Sequence, residues 1–254
     1  ATAVESIQYD NAFRMCFSDP NQGSASADYI ADNNLAKKVA VIYNSSDTYS
    51  SGIYQNFVTE AEKKGLEVVA AKAFTADNKT DFSVQIQKAK DAGAELVFLP
   101  IYYQEASLIL AQANKAGFSP KWFGCDGMDG ILDLEGFDAS LAENLMFLTP
   151  FTANATDDAT QKFVADFKDA FGDTPIQFAA DAYDAMYVIK AAMEEANVTP
   201  DMAVGDICDA MEGAMTKIKV DGLTGTNMTW TEDGEPEKDP KAVQVVDGAY
   251  KAME

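Results

Sequence analysis

The sequence predicts an α/β fold of doubly wound parallel sheets in two lobes, and three observations predict it. Within residues 95–130, Leu96 to Leu99 is a wholly apolar run, Ala106, Ile109, Leu110 and Ala113 recur at helical spacing, and Lys121-Trp-Phe-Gly-Cys-Asp-Gly-Met-Asp-Gly130 resumes after a break at Gly117. A short run without polar residues suits a strand buried on both faces, so the segment reads as a β-α-β unit whose strands run the same way. Strand and helix patterns alternate through the whole region before it, which is the signature of a doubly wound layer. Between about 150 and 226 the alternation stops and three helical patterns follow one another.

Taken in order, residues 13–17 read as an extended crossing segment. Asp19-Pro20-Asn21-Gln22-Gly23 is turn chemistry, followed by a helix with Ala27, Ile30 and Ala31 inward. A strand over 38–43 ends in a polar loop, 44–52, that sets Tyr49 just past its carboxyl end. The next helix buries Ile53, Tyr54, Phe57, Val58 and Ala61 and stops at Gly65. A strand over 67–74 and a helix carrying Phe82, Ile86 and Ala89, stopping at Gly93, lead into the central unit. After an apolar run at 145–151, Thr156-Asp157-Asp158 supplies a cap and favourable acids for a helix with Phe163, Phe167, Ala170 and Phe171 on one face. Helices over 178–196 and 205–215, a strand at 228–230, a turn-rich acidic stretch and a strand over 242–246 complete the chain. Composition shifts near Pro150 and Thr226 predict that the chain leaves one lobe, visits a second and returns.

With 254 residues, 47% of them hydrophobic, the chain is long enough to bury a large core. No stretch reaches the roughly 18 apolar residues of a membrane span, and residues 1–20 lack the basic start and apolar middle of a signal peptide. The formal charge of -22 repels phosphate backbones, so no nucleic-acid partner is expected. Cys16, Cys125 and Cys208 lie far apart without metal-ligand spacing and read as small buried side chains. There is no histidine, which removes Ser-His-Asp and Cys-His catalysis and the commonest metal ligand together. No glycine-rich phosphate loop follows a strand, and neither a catalytic centre, a metal site nor a cofactor is expected.

Ligands of open α/β sheets bind at the carboxyl ends of the strands. Three loops at that edge carry Tyr49, Tyr102 and Asp126. An Asp at the centre of Gly124-Cys-Asp-Gly127 disfavours phosphate and suits a cation. A loop Asp also serves as a turn former or cap, and tyrosines at strand ends also serve to cover a sheet; the residue pattern alone leaves both readings open.

Six stretches in order, Phe13-Arg-Met-Cys-Phe-Ser-Asp-Pro-Asn-Gln-Gly23, Lys38-Val-Ala-Val-Ile-Tyr43, Thr80-Asp-Phe-Ser83, Leu99-Pro-Ile-Tyr-Tyr-Gln-Glu-Ala106, Gly124-Cys-Asp-Gly127 and Ala182-Tyr-Asp-Ala185, resemble the branched-chain amino-acid (Leu/Ile/Val) type of periplasmic solute-binding protein, the receptor of an ABC importer. The resemblance implies the type I periplasmic-binding-protein fold, with two α/β lobes joined by three crossings, here at 13–19, 148–153 and 222–230. It implies a complete lobe made of 19–147 with 231–254, and a remnant of the other lobe made of 1–18 with 148–230. The family's opening β-α-β-α series has no counterpart here, so the first lobe is expected to be incomplete and its helices to need a missing N-terminal segment or a second copy of the chain. By the same resemblance Thr2 holds the α-carboxylate and ammonium of an amino-acid ligand from one lobe. Tyr102 and Asp126 grip the ammonium from the other, Tyr49 closes over the ligand, and Phe178 lines its side-chain pocket.

The implied function is a non-enzymatic, extracytoplasmic receptor, periplasmic or a cell-surface lipoprotein, that delivers an aliphatic or otherwise apolar amino acid to a membrane permease. A sensing or regulatory domain of the same fold is the alternative, and an enzyme with a carboxylate base is a third reading; fold alone does not separate them.

Overall fold

The structure, a computed structural model, describes residues 2–238 and 240–253, and the chain divides into two compact units. One comprises Asp19–Thr149 with Lys241–Glu254, hereafter the sheet unit, and the other Ala1–Ser18 with Pro150–Pro240, the helical unit. The chain therefore passes between units after residues 18, 149 and 240. The third passage is a correction to the crossing expected at 222–230, and residues 231–240 belong with the helices instead of the sheet. The cause is local bonding: Arg14 N–H donates to Gly234 O at 3.0 Å, and Glu235 and Lys238 form ion pairs with Arg14 and Asp181.

The sheet unit begins with helix α1 (Asp19–Asp32) and alternates through β1 (Lys38–Asn44), α2 (Thr48–Lys64), β2 (Glu67–Phe74), α3 (Ser83–Asp91), β3 (Leu96–Leu99), α4 (Tyr103–Lys115), β4 (Lys121–Gly124) and β5 (Met146–Thr149). The chain then builds the helical unit from α5 (Asp158–Phe171), α6 (Gln177–Glu195), α7 (Val204–Met215) and the two-residue strands β6 (Thr229–Trp230) and β7 (Pro236–Glu237). It returns as β8 (Lys241–Val246) and β9 (Ala249–Ala252). The strand order is β2-β1-β3-β4-β5-β8-β9, with β1 to β5 parallel and β8 antiparallel to both neighbours.

Alternating side chains of each strand enter two separate cores, which is why the strands read as unbroken apolar runs. Val39, Val41, Leu96, Phe98 and Phe123 pack with Ile30, Ile53 and Phe57 of α1 and α2. Ala40, Ile42, Val97, Leu99 and Phe147 face the other way, against Phe82, Ile86, Ile109 and Leu110 around α3 and α4. Two local expectations need correcting. Asp19-Pro20 opens α1 directly instead of forming a turn before it, because proline's fixed φ and missing N–H are tolerated in a helix's first turn. The last strand, β9, had no expected counterpart; Asp247 and Gly248 both take positive φ, 55° and 72°, and form the two-residue loop that pairs Val246 with Ala249.

In the helical unit the Asp157 side chain caps α5 by accepting from Thr160 N–H at 2.9 Å, and Gly172 ends it in the left-handed region. Phe163 packs with Phe151, Val164, Ala180 and Leu223, while Val188, Ala192, Met215 and Trp230 form a second small core. Phe167 and Met211 are partly buried against these, whereas Met186, Ile189, Met193, Phe171 and Val204 are exposed. No helix among the described residues is long and apolar enough to cross a membrane.

Helices α1 and α2 touch backbone to backbone at Gly23, where an added Cβ would lie 2.5 Å from Ile53 O and 2.8 Å from Phe57 N. Gly213, in α7, meets nothing within 4 Å. Gly23→Ala should therefore lower stability to urea by about 1 to 3 kcal/mol through overpacking, while Gly213→Ala should raise it by about 0.5 to 1 kcal/mol. Equal effects of the two substitutions would contradict the close contact.

Candidate ligand-binding site

Asp126 follows β4 and opens a short 3-10 turn, Asp126–Met128, at the carboxyl edge of the parallel strands. Only 3% of its surface is exposed, so a charged carboxylate here depends on hydrogen bonds from the protein. Tyr49, delivered by the first turn of α2, donates its hydroxyl to Asp126 Oδ1 at 2.7 Å, and the same hydroxyl accepts from Gly127 N–H at 3.1 Å. The backbone N–H of Asp126 donates to Gln22 Oε1 at 3.3 Å, which ties the turn to α1. Tyr102, immediately before α4, stacks on Tyr49 with ring centroids 4.8 Å apart and planes 24° from parallel. Tyr102 is 39% exposed, in contrast to the buried Tyr49.

Gly127 makes this arrangement possible. A Cβ there would sit 2.8 Å from Tyr49 Oη, 2.9 Å from Ile101 O and 3.2 Å from Tyr102 Cδ1. Burial, then the neighbouring Asp126 charge, pushes the Tyr49 phenol well above its usual range. The same two causes raise the Cys125 thiol, whose Sγ lies 3.8 Å from Ser26 Oγ. Both groups are thereby kept in their neutral forms.

The other two expected site residues, Thr2 and Phe178, belong to the helical unit, and no hydrogen bond or ring contact joins them among the described residues. Phe178 is the second residue of α6 and is 42% exposed. Thr2 is half-buried, and its carbonyl accepts from the Arg14 guanidinium, which also donates to Ala3 O at 3.0 Å. Nearby on α6 lies a polar cluster the residue pattern did not reveal. The Lys238 ammonium, wholly buried, reaches Asp181 Oδ1 at 3.3 Å and Thr224 Oγ1 at 3.0 Å and lies 5.4 Å from the centre of the Phe17 ring. Asp184 accepts the N–H groups of Leu223 and Thr224 at 2.9 and 2.8 Å. Burial raises the Asp181 carboxyl, and Lys238 opposes the shift. Gln22 and Asp19 were missed in the same way: both are buried polar residues in a stretch that reads as a turn.

The sheet unit thus holds a buried acid hydrogen-bonded by Tyr49, whose ring stacks on Tyr102. A family model described as periplasmic binding protein matches residues 2–249. The chain belongs to the periplasmic binding protein family. A Leu/Ile/Val-binding protein homolog of Brucella melitensis is 32% identical to it over 198 residues, 76% of this chain and 51% of that protein. A leucine-, isoleucine-, valine-, threonine- and alanine-binding protein of Pseudomonas aeruginosa is 28% identical over 77% of this chain and 52% of that one. The crystal structure of a leucine-binding protein LivK from Thermotoga maritima superposes with a TM-score of 0.85 at 26% identity, covering all of this chain and 70% of the other. This binding protein thus spans about half the length of the curated relatives it matches.

The raised Tyr49 phenol has a consequence for stability. Above pH about 10 the unfolded tyrosine loses its proton while the folded one keeps it, so the unfolded state binds fewer protons and stability falls as pH rises. In Tyr49→Phe the decline between pH 9.5 and 11 should be shallower, as followed by urea unfolding of both proteins; an unchanged slope would mean that Tyr49 ionises as freely folded as unfolded.

Proposed function

We propose that this binding protein is the substrate receptor of an ABC importer, working outside the cytoplasm without catalysis, and that its ligand is an α-amino acid with an aliphatic or other apolar side chain. The observation that carries the reading is the buried Asp126 carboxylate, held at a strand's carboxyl end by Tyr49 beneath the open ring of Tyr102. A buried acid pairs with an ammonium by a charge-assisted hydrogen bond, strong where water is excluded. The names of the relatives, which bind leucine, isoleucine and valine, support the same ligand class. In this reading Tyr49 orients the acid, Tyr102 contacts the ligand, Thr2 holds the ligand's main-chain groups, and Phe178 packs against its side chain. A membrane permease is the receiving partner.

Exposed Met186, Ile189 and Met193 on α6 form part of the same proposal, as a surface that further protein covers, either a separate segment or a second copy of the chain. Light scattering checks it: Met186→Lys with Ile189→Lys should leave the molecular mass unchanged if the partner is a separate segment, and halve it if a second copy sits there.

The ligand assignment is tested by titrating leucine into the isotopically labelled chain and following the Gly127 amide, whose N–H donates to Tyr49 Oη. Leucine should shift this amide in the unsubstituted protein and in Asp133→Ala, an exposed control. Asp126→Ala should weaken binding at least a hundredfold, since an ammonium left unpaired in a buried site costs about 3 kcal/mol or more. Tyr102→Phe should weaken it by about 1.5 to 3 kcal/mol through the lost hydroxyl contact to a charged group. Leucine binding that survives Asp126→Ala at full strength would remove the acid from the site.

A further inference from the structure

A second concavity lies at the other end of the sheet. Around the amino-terminal ends of β4 and β5 is a cavity of about 650 Å³, lined from the sheet unit alone. That volume falls within the roughly 300 to 1,000 Å³ typical of small-molecule sites. Leu110, Phe118, Trp122, Leu141 and Met146 supply its apolar wall, and Asn114 and Ser119 are among its polar groups. The Phe118 and Trp122 rings meet edge to face, with centroids 6.3 Å apart.

Trp122 makes this more than a dent between loops. The side chain is only 8% exposed, yet its indole N–H donates to no acceptor among the described residues. The contrast is Trp230, 3% exposed, whose N–H donates to Arg14 O at 2.8 Å. Indole is a donor only, and the Trp122 nitrogen is not fully enclosed, so its N–H is open to an acceptor from outside the protein. The charged side chains that line the cavity, Lys121 and Glu143, are opposite in sign and already engaged: the Lys121 ammonium donates to Leu35 O at 2.6 Å, and Glu143 Oε1 accepts from Asp247 N–H at 3.2 Å. With these cancelled and a chain charge of -22, an anionic guest is disfavoured.

We infer that this cavity is a second binding site, separate from Asp126, for a small neutral molecule with an apolar, ring-sized body and a carbonyl oxygen that accepts the Trp122 N–H. The body fills the space against Leu110, Leu141 and Met146, and the carbonyl gives orientation. Nothing in this site depends on the amino-acid reading of the carboxyl edge.

Two probes separate the recognition of the carbonyl from simple apolar filling: acetophenone, and ethylbenzene, which has the same ring and arm without the oxygen. The labelled chain has two tryptophans, and Trp122→Phe identifies which indole N–H resonance belongs to which. Acetophenone should shift the Trp122 indole resonance saturably, with a dissociation constant of millimolar order or tighter, and leave that of Trp230 in place. Ethylbenzene should produce less than a quarter of the shift, and Leu141→Phe, which fills the cavity, should abolish the acetophenone response. The inference fails if acetophenone gives no saturable shift, as when water alone meets the N–H, if both probes shift it equally, or if the response survives Leu141→Phe with the Trp230 resonance unchanged.

Discussion

A carboxylate buried at the end of a parallel strand is expensive unless the protein supplies its hydrogen bonds, and much of the sheet unit is arranged around Asp126 for that reason. Helix α2 begins where it does so that Tyr49 reaches Oδ1, and α1 begins at Asp19, early enough for Gln22 to accept the Asp126 N–H. Gly127 has no side chain because three neighbouring atoms already occupy the place of its Cβ. The Tyr49 ring then stacks on that of Tyr102, the more exposed of the two residues. Each of these features answers one requirement, that the charge be oriented and paired without water.

The two units solve the problem of cohesion differently. In the sheet unit both faces of a seven-stranded sheet are covered by helices, and the apolar layers alone account for its integrity. The helical unit has among its described residues only the paired strands β6 and β7, and its two small cores are supplemented by buried polar groups. Asp184 accepts backbone donors of the 223–224 loop, and Lys238 is enclosed by Asp181, Thr224 and the Phe17 ring. In a buried ion pair of this type desolvation offsets much of the attraction.

The parts of the fold legible in the sequence were those written in local pattern. Strands such as Leu96–Leu99 and Glu67–Phe74 and the stop at Gly65 follow from apolar runs and a glycine in the left-handed region, both readable without tertiary information. The start of α1 was misread because Pro20 signals a turn and a helix's first turn equally well. The β8–β9 hairpin carried its own signal, Asp247-Gly248, in a segment too close to the chain end to draw notice. Asp126, Tyr49 and Tyr102 were singled out by one rule, the carboxyl edge of a parallel sheet, and the structure joins them by a hydrogen bond and a ring stack. Gln22, Asp181 and Lys238 were not, since nothing local distinguishes a buried polar residue from an exposed one; only the partner that closes its hydrogen bonds does.

Arg14 shows how far such tertiary pairing can replace secondary structure. The Thr2 carbonyl is held by the Arg14 guanidinium, which also reaches Ala3 O and lies 3.2 Å from the Glu235 carboxylate through Nε. The backbone of the same residue donates to Gly234 O and accepts from the Trp230 indole. One residue therefore binds the start of the chain to the 230–235 segment through both its side chain and its main chain. The planar fork of arginine, with donors in fixed directions, meets two carbonyls at once while its charge lies beside a carboxylate; a lysine offers three donors from a single point in place of that fork. The order around Thr2 thus rests on a charge-assisted cluster, and its geometry follows from the shape of the guanidinium more than from any strand.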